Sequence, residues 1–178
     1  MWLVKKMPLI TGGGIPQTRG VINGRISYKH PFIELVSKFV GGVLALSAGL
    51  SLGREGPSVQ IGSYVGCLVS KWGRVLAGER KQLLAAGAGA GLAAAFAAPL
   101  ASSLLVIESI ERFDAPKTAI TTLLAGVVAG GVASMIFPIN PYFQIDAISP
   151  GLTFFSQVKL FLLLAAVISV SGKIYSVI

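Results

Sequence analysis

The sequence predicts an all-α, polytopic integral membrane protein of tilted, broken and half-spanning helices, and three observations predict it. Of its 178 residues 53% are hydrophobic and only 12% are charged, with a mean hydropathy of +0.77, above the range of a water-soluble domain of this size. Residues 82 to 107 and 118 to 145 contain no Asp, Glu, Lys or Arg. As one continuous helix the first stretch would be about 39 Å long, more than a hydrocarbon core of about 30 Å. The apolar segments are also interrupted repeatedly by the chain's 22 glycines and 9 prolines, so several helices are too short to span by themselves.

Taken in order, "MWLVKKMPLITGGG" reads as a loop to Gly14. It is no secretory signal, because its basic pair follows the apolar residues and no small-residue cleavage site is apparent; it reads as a chain entered partway through. A short helix is expected from Pro16 to about Asn23, then a basic loop to Pro31, then a helix from Ile33 to Leu50 whose Ser37, Gly41, Gly42, Ser47 and Gly49 admit a close neighbour. The next helix is expected to start at Pro57 and run to about Leu76, with "AGERK" as a polar connection. The stretch from Gln82 to Phe113 reads as two helices broken near Ala98 and Pro99, since a proline inside a helix removes a hydrogen bond and clashes with the turn before it. A span over Thr118 to Phe137, an extramembrane loop "PINPYFQIDAISPG" and a last helix from near Leu152 complete the reading. Helix breaks at membrane depth are tolerated only where protein or a water-filled cavity surrounds them, which points to a transport site.

Other functional classes fit poorly. The net charge of +8 does not gather into a basic patch with interleaved aromatics, so nucleic-acid binding is not expected. Lys5, Lys6, Arg19, Arg25, Lys29, Lys71, Arg74, Arg80 and Lys81 fall mostly between apolar segments, as in loops facing lipid headgroups. Cys67 is the only cysteine and His30 the only histidine, which rules out an internal disulfide and a Cys-based metal site. The chain offers no grouping of nucleophile, base and orienter, so no enzyme, metal or cofactor is expected. Gly87, Gly89 and Gly91 are spaced like a worn dinucleotide fingerprint, but Leu92 occupies the third step and no strand precedes them. Tight helix packing is the preferred reading of that run.

Two stretches share a design. "GGGIP" at 12 to 16 and "GREGP" at 53 to 57 each place glycines before a proline and then an apolar helix. Glycines let consecutive amides point one way, and a helix start adds partial positive charge, so each is a candidate anion site. Amides of Gly12, Gly13, Gly14 and Ile15 from the first loop and of Arg54, Glu55 and Gly56 from the second would hold an anion without a full positive charge, which suits an ion that must also leave. Glu55 is then an anion supplied by the protein. Its carboxylate can occupy the site and block a permeating ion, and protonation or movement would release it. Arg54 would balance charge or tie the loop to a neighbour; Arg54 and Glu55 as a mere inter-helix staple is the lesser reading, since adjacent residues do not face each other on a helix.

These motifs, with "GAGAGLAAAFAAPLASSLLVIE" following in the same order, resemble the CLC family of chloride channels and proton-coupled chloride transporters over roughly residues 8 to 178. The resemblance implies chloride as ligand, Glu55 as the gating glutamate, and a multi-pass cell-membrane protein. It also implies an inverted-repeat architecture, with the first repeat reaching about residue 150 and residues 151 to 178 opening a truncated second. A homodimer with one pore per subunit would follow, with helices around Pro99 to Ile110 and Thr118 to Phe137 at the interface.

Departures from the family pattern are informative. Gly13 stands where the family usually has Ser, so a hydroxyl donor to the central chloride is lost. Matching "VIES" to the family's proton-transfer stretch puts Ser109 where proton-coupled members have glutamate. Passive conduction is therefore slightly favoured, with Glu108 or Glu111 as another proton route if exchange occurs. The third helix-start motif and the coordinating Tyr of the family's second half have no counterpart here. Alternatives are a proton/chloride antiporter using another route, or a non-conducting half-protein that pairs with a complementary chain.

Overall fold

Glycine and proline punctuation decides where each helix begins and ends. The computed structural model describes residues 2 to 108, 116 to 137 and 154 to 177, and among them there is helix and connection but no strand. A short helix α1 (Trp2–Lys6) and a 3-10 turn (Pro8–Ile10) precede α2 (Ile15–Ile22), which is capped by Gly14 in the left-handed region and carries Pro16 in its first turn. Then come α3 (Pro31–Ser47), α4 (Glu55–Trp72), α5 (Ala77–Phe96), α6 (Pro99–Val106) and α7 (Pro116–Ile136). The chain divides into two compact units, Met1–Ile139 and Asn140–Ile178. Within the second lies α8 (Phe154–Val177).

Three departures from the sequence reading have physical causes. The first residues form helix and a 3-10 turn rather than a loop, because Thr11 N–H closes onto the Pro8 carbonyl (3.3 Å). "AGERK" is the first turn of α5 rather than a connection; Arg80 N–H already bonds the Leu76 carbonyl (3.0 Å). Polar residues suit a helix end that faces water, with Glu79 at the positive end. Finally, α4 starts at Glu55, two residues before Pro57. The loop "PINPYFQIDAISPG" lies outside the described residues.

Helix ends are sealed by the chain itself. After α3, Gly49 takes φ +79°; its N–H bonds Leu46 and that of Leu50 bonds Ala45 (3.0 and 3.2 Å), a Schellman motif that satisfies carbonyls left over at the helix end. The same pair of bonds closes α2 around Gly24. At the end of α4 the left-handed position is held by exposed Arg74 at φ 49°, where a side chain is strained. Arg74→Gly is expected to stabilise the protein by about 1 kcal/mol. A thermal melt in detergent checks this, and a lowered midpoint would show that the arginine side chain outweighs the strain.

α5 lies between α4 and α7, and small residues on both faces let it do so. A Cβ on Gly62 would overlap the Gly87 carbonyl, and one on Gly87 would overlap the Gly62 carbonyl, so the α4 and α5 backbones are in direct contact. On the other side, α7 turns Thr118, Thr122, Gly126 and Gly130, spaced four apart, toward its neighbours. Gly89 of α5 meets the Thr122 methyl, and Gly126 meets Ser103 and Ala93. The Gly/Ala run of α5 is thus a packing surface. Val59, Tyr64, Cys67, Leu84, Ala85, Ala88 and Leu92 form the core around it.

The outer faces remain apolar. Phe32, Phe39, Val43 and Leu44 on α3 and Ile120, Leu124 and Val128 on α7 are exposed. Pro116–Ile136 and Val158–Tyr175 have mean hydropathies of 1.9 and 1.8 and are long enough to cross a membrane.

Candidate functional site

The first loop is held by its carbonyls. Lys38, on α3 and only 6% exposed, donates from Nζ to the carbonyls of Ile10 (2.8 Å) and Gly12 (2.7 Å). Gln17 Nε2 donates to the Thr11 carbonyl (2.7 Å). With three successive carbonyls so engaged, and with Gly12 and Gly14 at φ +68° and +100°, the loop turns into α2. Among the described residues, no backbone acceptor meets the amides of Gly13 and Ile15, as expected at a helix start.

The second loop meets the first. A Cβ on Gly56 would overlap the Gly13 carbonyl, and one on Gly14 would sit 2.8 Å from the Gly56 carbonyl and 2.7 Å from Gln60 Oε1. The N-termini of α2 and α4 are therefore adjacent, with backbone against backbone. A Cβ on Gly13 would meet nothing within 4 Å. Ser58 locks the start of α4, its amide (3.1 Å) and its hydroxyl (2.8 Å) both donating to the Arg54 carbonyl. Half-buried Arg54 lays its guanidinium over the Phe96 ring, 4.7 Å from the centroid, which links the loop to the end of α5. Glu55 occupies the first turn of α4 and is exposed. A cleft of about 170 Å³ runs beside the loop, lined by Lys38, Gly42, Gly53, Arg54, Pro57 and Ser58 among others.

The residues singled out in the sequence thus fall into two groups. Gly12, Gly13, Gly14, Ile15, Arg54, Glu55 and Gly56 come together at the two helix starts. Glu108 is exposed and follows α6, away from that cluster in the chain order, while Ser109 and Glu111 lie outside the described residues. Among the described residues no three His, Cys, Asp or Glu side chains gather to hold a metal.

Comparison with known proteins decides the family. The sequence matches the family model described as "Voltage gated chloride channel" over residues 1 to 178. The chain belongs to the CLC family. Relatives in this family include the H(+)/Cl(-) exchange transporter ClcA of Vibrio cholerae, 38% identical over 175 residues, which covers 95% of this chain and 36% of that protein. The proteins of the same name from Citrobacter koseri and Salmonella arizonae are 41% and 40% identical over 139 residues, each covering 76% of this chain and 29% of the relative. The chain thus spans about a third of the length of these CLC relatives.

Several residues that build the site were not singled out in the sequence. Lys38 is one; a lone lysine inside an apolar helix beside Gly41 and Gly42 is the signal that could have found it. A buried polar seam is another. Gln60 Nε2 donates to the Leu9 carbonyl (2.7 Å) and to Tyr64 Oη (3.0 Å). Tyr28 Oη pairs with Ser63 Oγ and Thr18 Oγ1, each at 3.4 Å, and the two tyrosine rings lie 4.3 Å apart. Burial raises the Tyr28 phenol above its ordinary range, so it stays a neutral hydroxyl.

Proposed function

We propose that the complete protein moves chloride across a membrane through a CLC-type pore and that this chain supplies two of its anion-binding loops, with Glu55 as the gate. The observation that carries this reading is the backbone contact between Gly13 and Gly56. It brings two helix N-termini to one place, where their partial positive charges add, while the Lys38 ammonium is engaged by loop carbonyls and the Arg54 guanidinium by Phe96. Glu55 stands in the first turn of one of them, so its carboxylate competes with a permeating anion for the same field. A multi-pass cell-membrane protein, a homodimer and an inverted second repeat accord with this reading. The apolar exposed faces of α6 and α7, which carry Leu100, Leu104, Ile120 and Leu124, suit a subunit interface.

With Ser109 where the family pattern expects a glutamate, passive conduction is the first mode. Proton-coupled exchange is the second, favoured by likeness to relatives that are H(+)/Cl(-) exchange transporters. Chloride efflux from liposomes holding the complete protein, recorded together with proton movement, tests both. Release above that of empty vesicles is expected, and none would overturn the proposal. Chloride without protons identifies a channel, and stoichiometric protons identify an exchanger.

Anion preference gives a further expected result. Because the space around a Gly13 Cβ is open, Gly13→Ser fits and adds a hydroxyl donor at the loop. Chloride over nitrate should rise by about 1 kcal/mol, roughly fivefold in permeability ratio. Equal ratios before and after would remove Gly13 from contact with the ion.

A further inference from the structure

Glu34 is the carboxylate that the site described above does not use. It sits in the first turn of α3, and its Oε1 accepts the His30 backbone N–H at 3.3 Å. A glutamate that only caps a helix keeps its other oxygen in water. Here the residue is 5% exposed, and Oε2 is sealed from solvent without a hydrogen-bond partner. A buried carboxylate oxygen with no donor calls for an explanation.

The surroundings supply one. Glu34 lines a cavity of about 170 Å³ together with Lys6, Leu9, Lys29 and His30, roomy and polar enough for water. Lys6 comes from α1, Lys29 and His30 from the turn before α3, and Lys38 lies one turn further along α3. The phenols of Tyr28 and Tyr64 lie close enough to Glu34 to sense its charge. From the cavity a polar connection leads to the loops: Leu9 lines the cavity, its carbonyl accepts from Gln60, and Gln60 Oε1 lies against Gly14. Thr18, Tyr28, Gln60, Ser63 and Tyr64, all 3% exposed or less, form a seam of hydroxyls and amide through otherwise apolar packing.

We infer that Glu34 is a proton-binding site, loaded from the cavity walled by Lys6, Lys29 and His30, and that it supplies the exchangeable carboxylate that Ser109 cannot. The inference rests on the reading of Glu55 as the gate and on the second mode named above, proton-coupled exchange. The step is proton transfer alone. The Glu34 carboxylate takes up a proton from hydronium in the cavity and becomes the neutral acid; the same proton is later released toward the Glu55 carboxylate, while chloride moves the opposite way.

The test is chloride-driven proton uptake into liposomes containing the complete protein, as wild type, Glu34→Gln and Glu34→Leu. The glutamine keeps the bond to His30, and the leucine fills the volume with an apolar group, an exchange that buried ionic positions often tolerate. Wild type should take up protons as chloride leaves. In both variants chloride should still cross, while the proton-to-chloride ratio falls by about a hundredfold. A preserved ratio in either variant overturns the inference, as does wild-type chloride flux with no proton movement. Glu55→Ala, measured alongside, separates the two readings: an unaltered pH profile there removes the gate, whereas the ratio in the Glu34 variants reports on Glu34.

Discussion

Glu55→Ala in the complete protein is expected to raise chloride flux at neutral pH severalfold and to flatten its dependence on pH. The carboxylate lies in the first turn of α4, where the helix start favours any anion, its own included. While ionised it competes with chloride. Wild-type flux should therefore increase on acidification, because each proton taken up removes the competing charge. Without the carboxylate there is nothing to protonate, and flux is high at both ends. Glu55→Gln should behave similarly, since a neutral amide cannot replace the charge. Efflux at a series of pH values decides it; wild-type-like profiles in both variants would sink the gating role.

The second large effect is expected from Gly56→Ala. A single methyl there would overlap the Gly13 carbonyl, and backbone cannot swing aside as a side chain can. Overpacking of this kind costs about 1 to 3 kcal/mol or more, and the strain falls on the contact that joins the two loops. Chloride flux should drop at least about tenfold, the equivalent of about 1.4 kcal/mol at the site. Gly41→Ala is the control, because a Cβ there meets nothing within 4 Å; its flux should match wild type. Wild-type flux in Gly56→Ala would mean that the loops need not touch.

Much of the fold was legible because it is local. Pro16, Pro31 and Pro99 sit in the first turns of their helices, and the break after Phe96 falls at Ala97 and Ala98, next to the expected proline. The start of α4 was misplaced since Pro57 tolerates the first turn as a whole, and nothing in "GREGP" says which residue opens it. The two candidate anion loops could be recognised separately. Their contact could not, because it depends on how α2 and α4 pack, and a glycine needed for close approach looks like a glycine needed for a turn. Lys38, Glu34 and the tyrosine pair were hidden for the same reason: each is polar in sequence and buried only through partners far along the chain.

The contact between Gly13 and Gly56, together with the Lys38 bonds that shape the first loop, lies wholly within one short stretch of polypeptide. It can form while later segments are still being synthesised, in the order in which compact units fold on the ribosome. The two joined loops are then already shaped when the helices that follow enter the membrane. Those helices then pack onto them, as Phe96 of α5 does beneath Arg54.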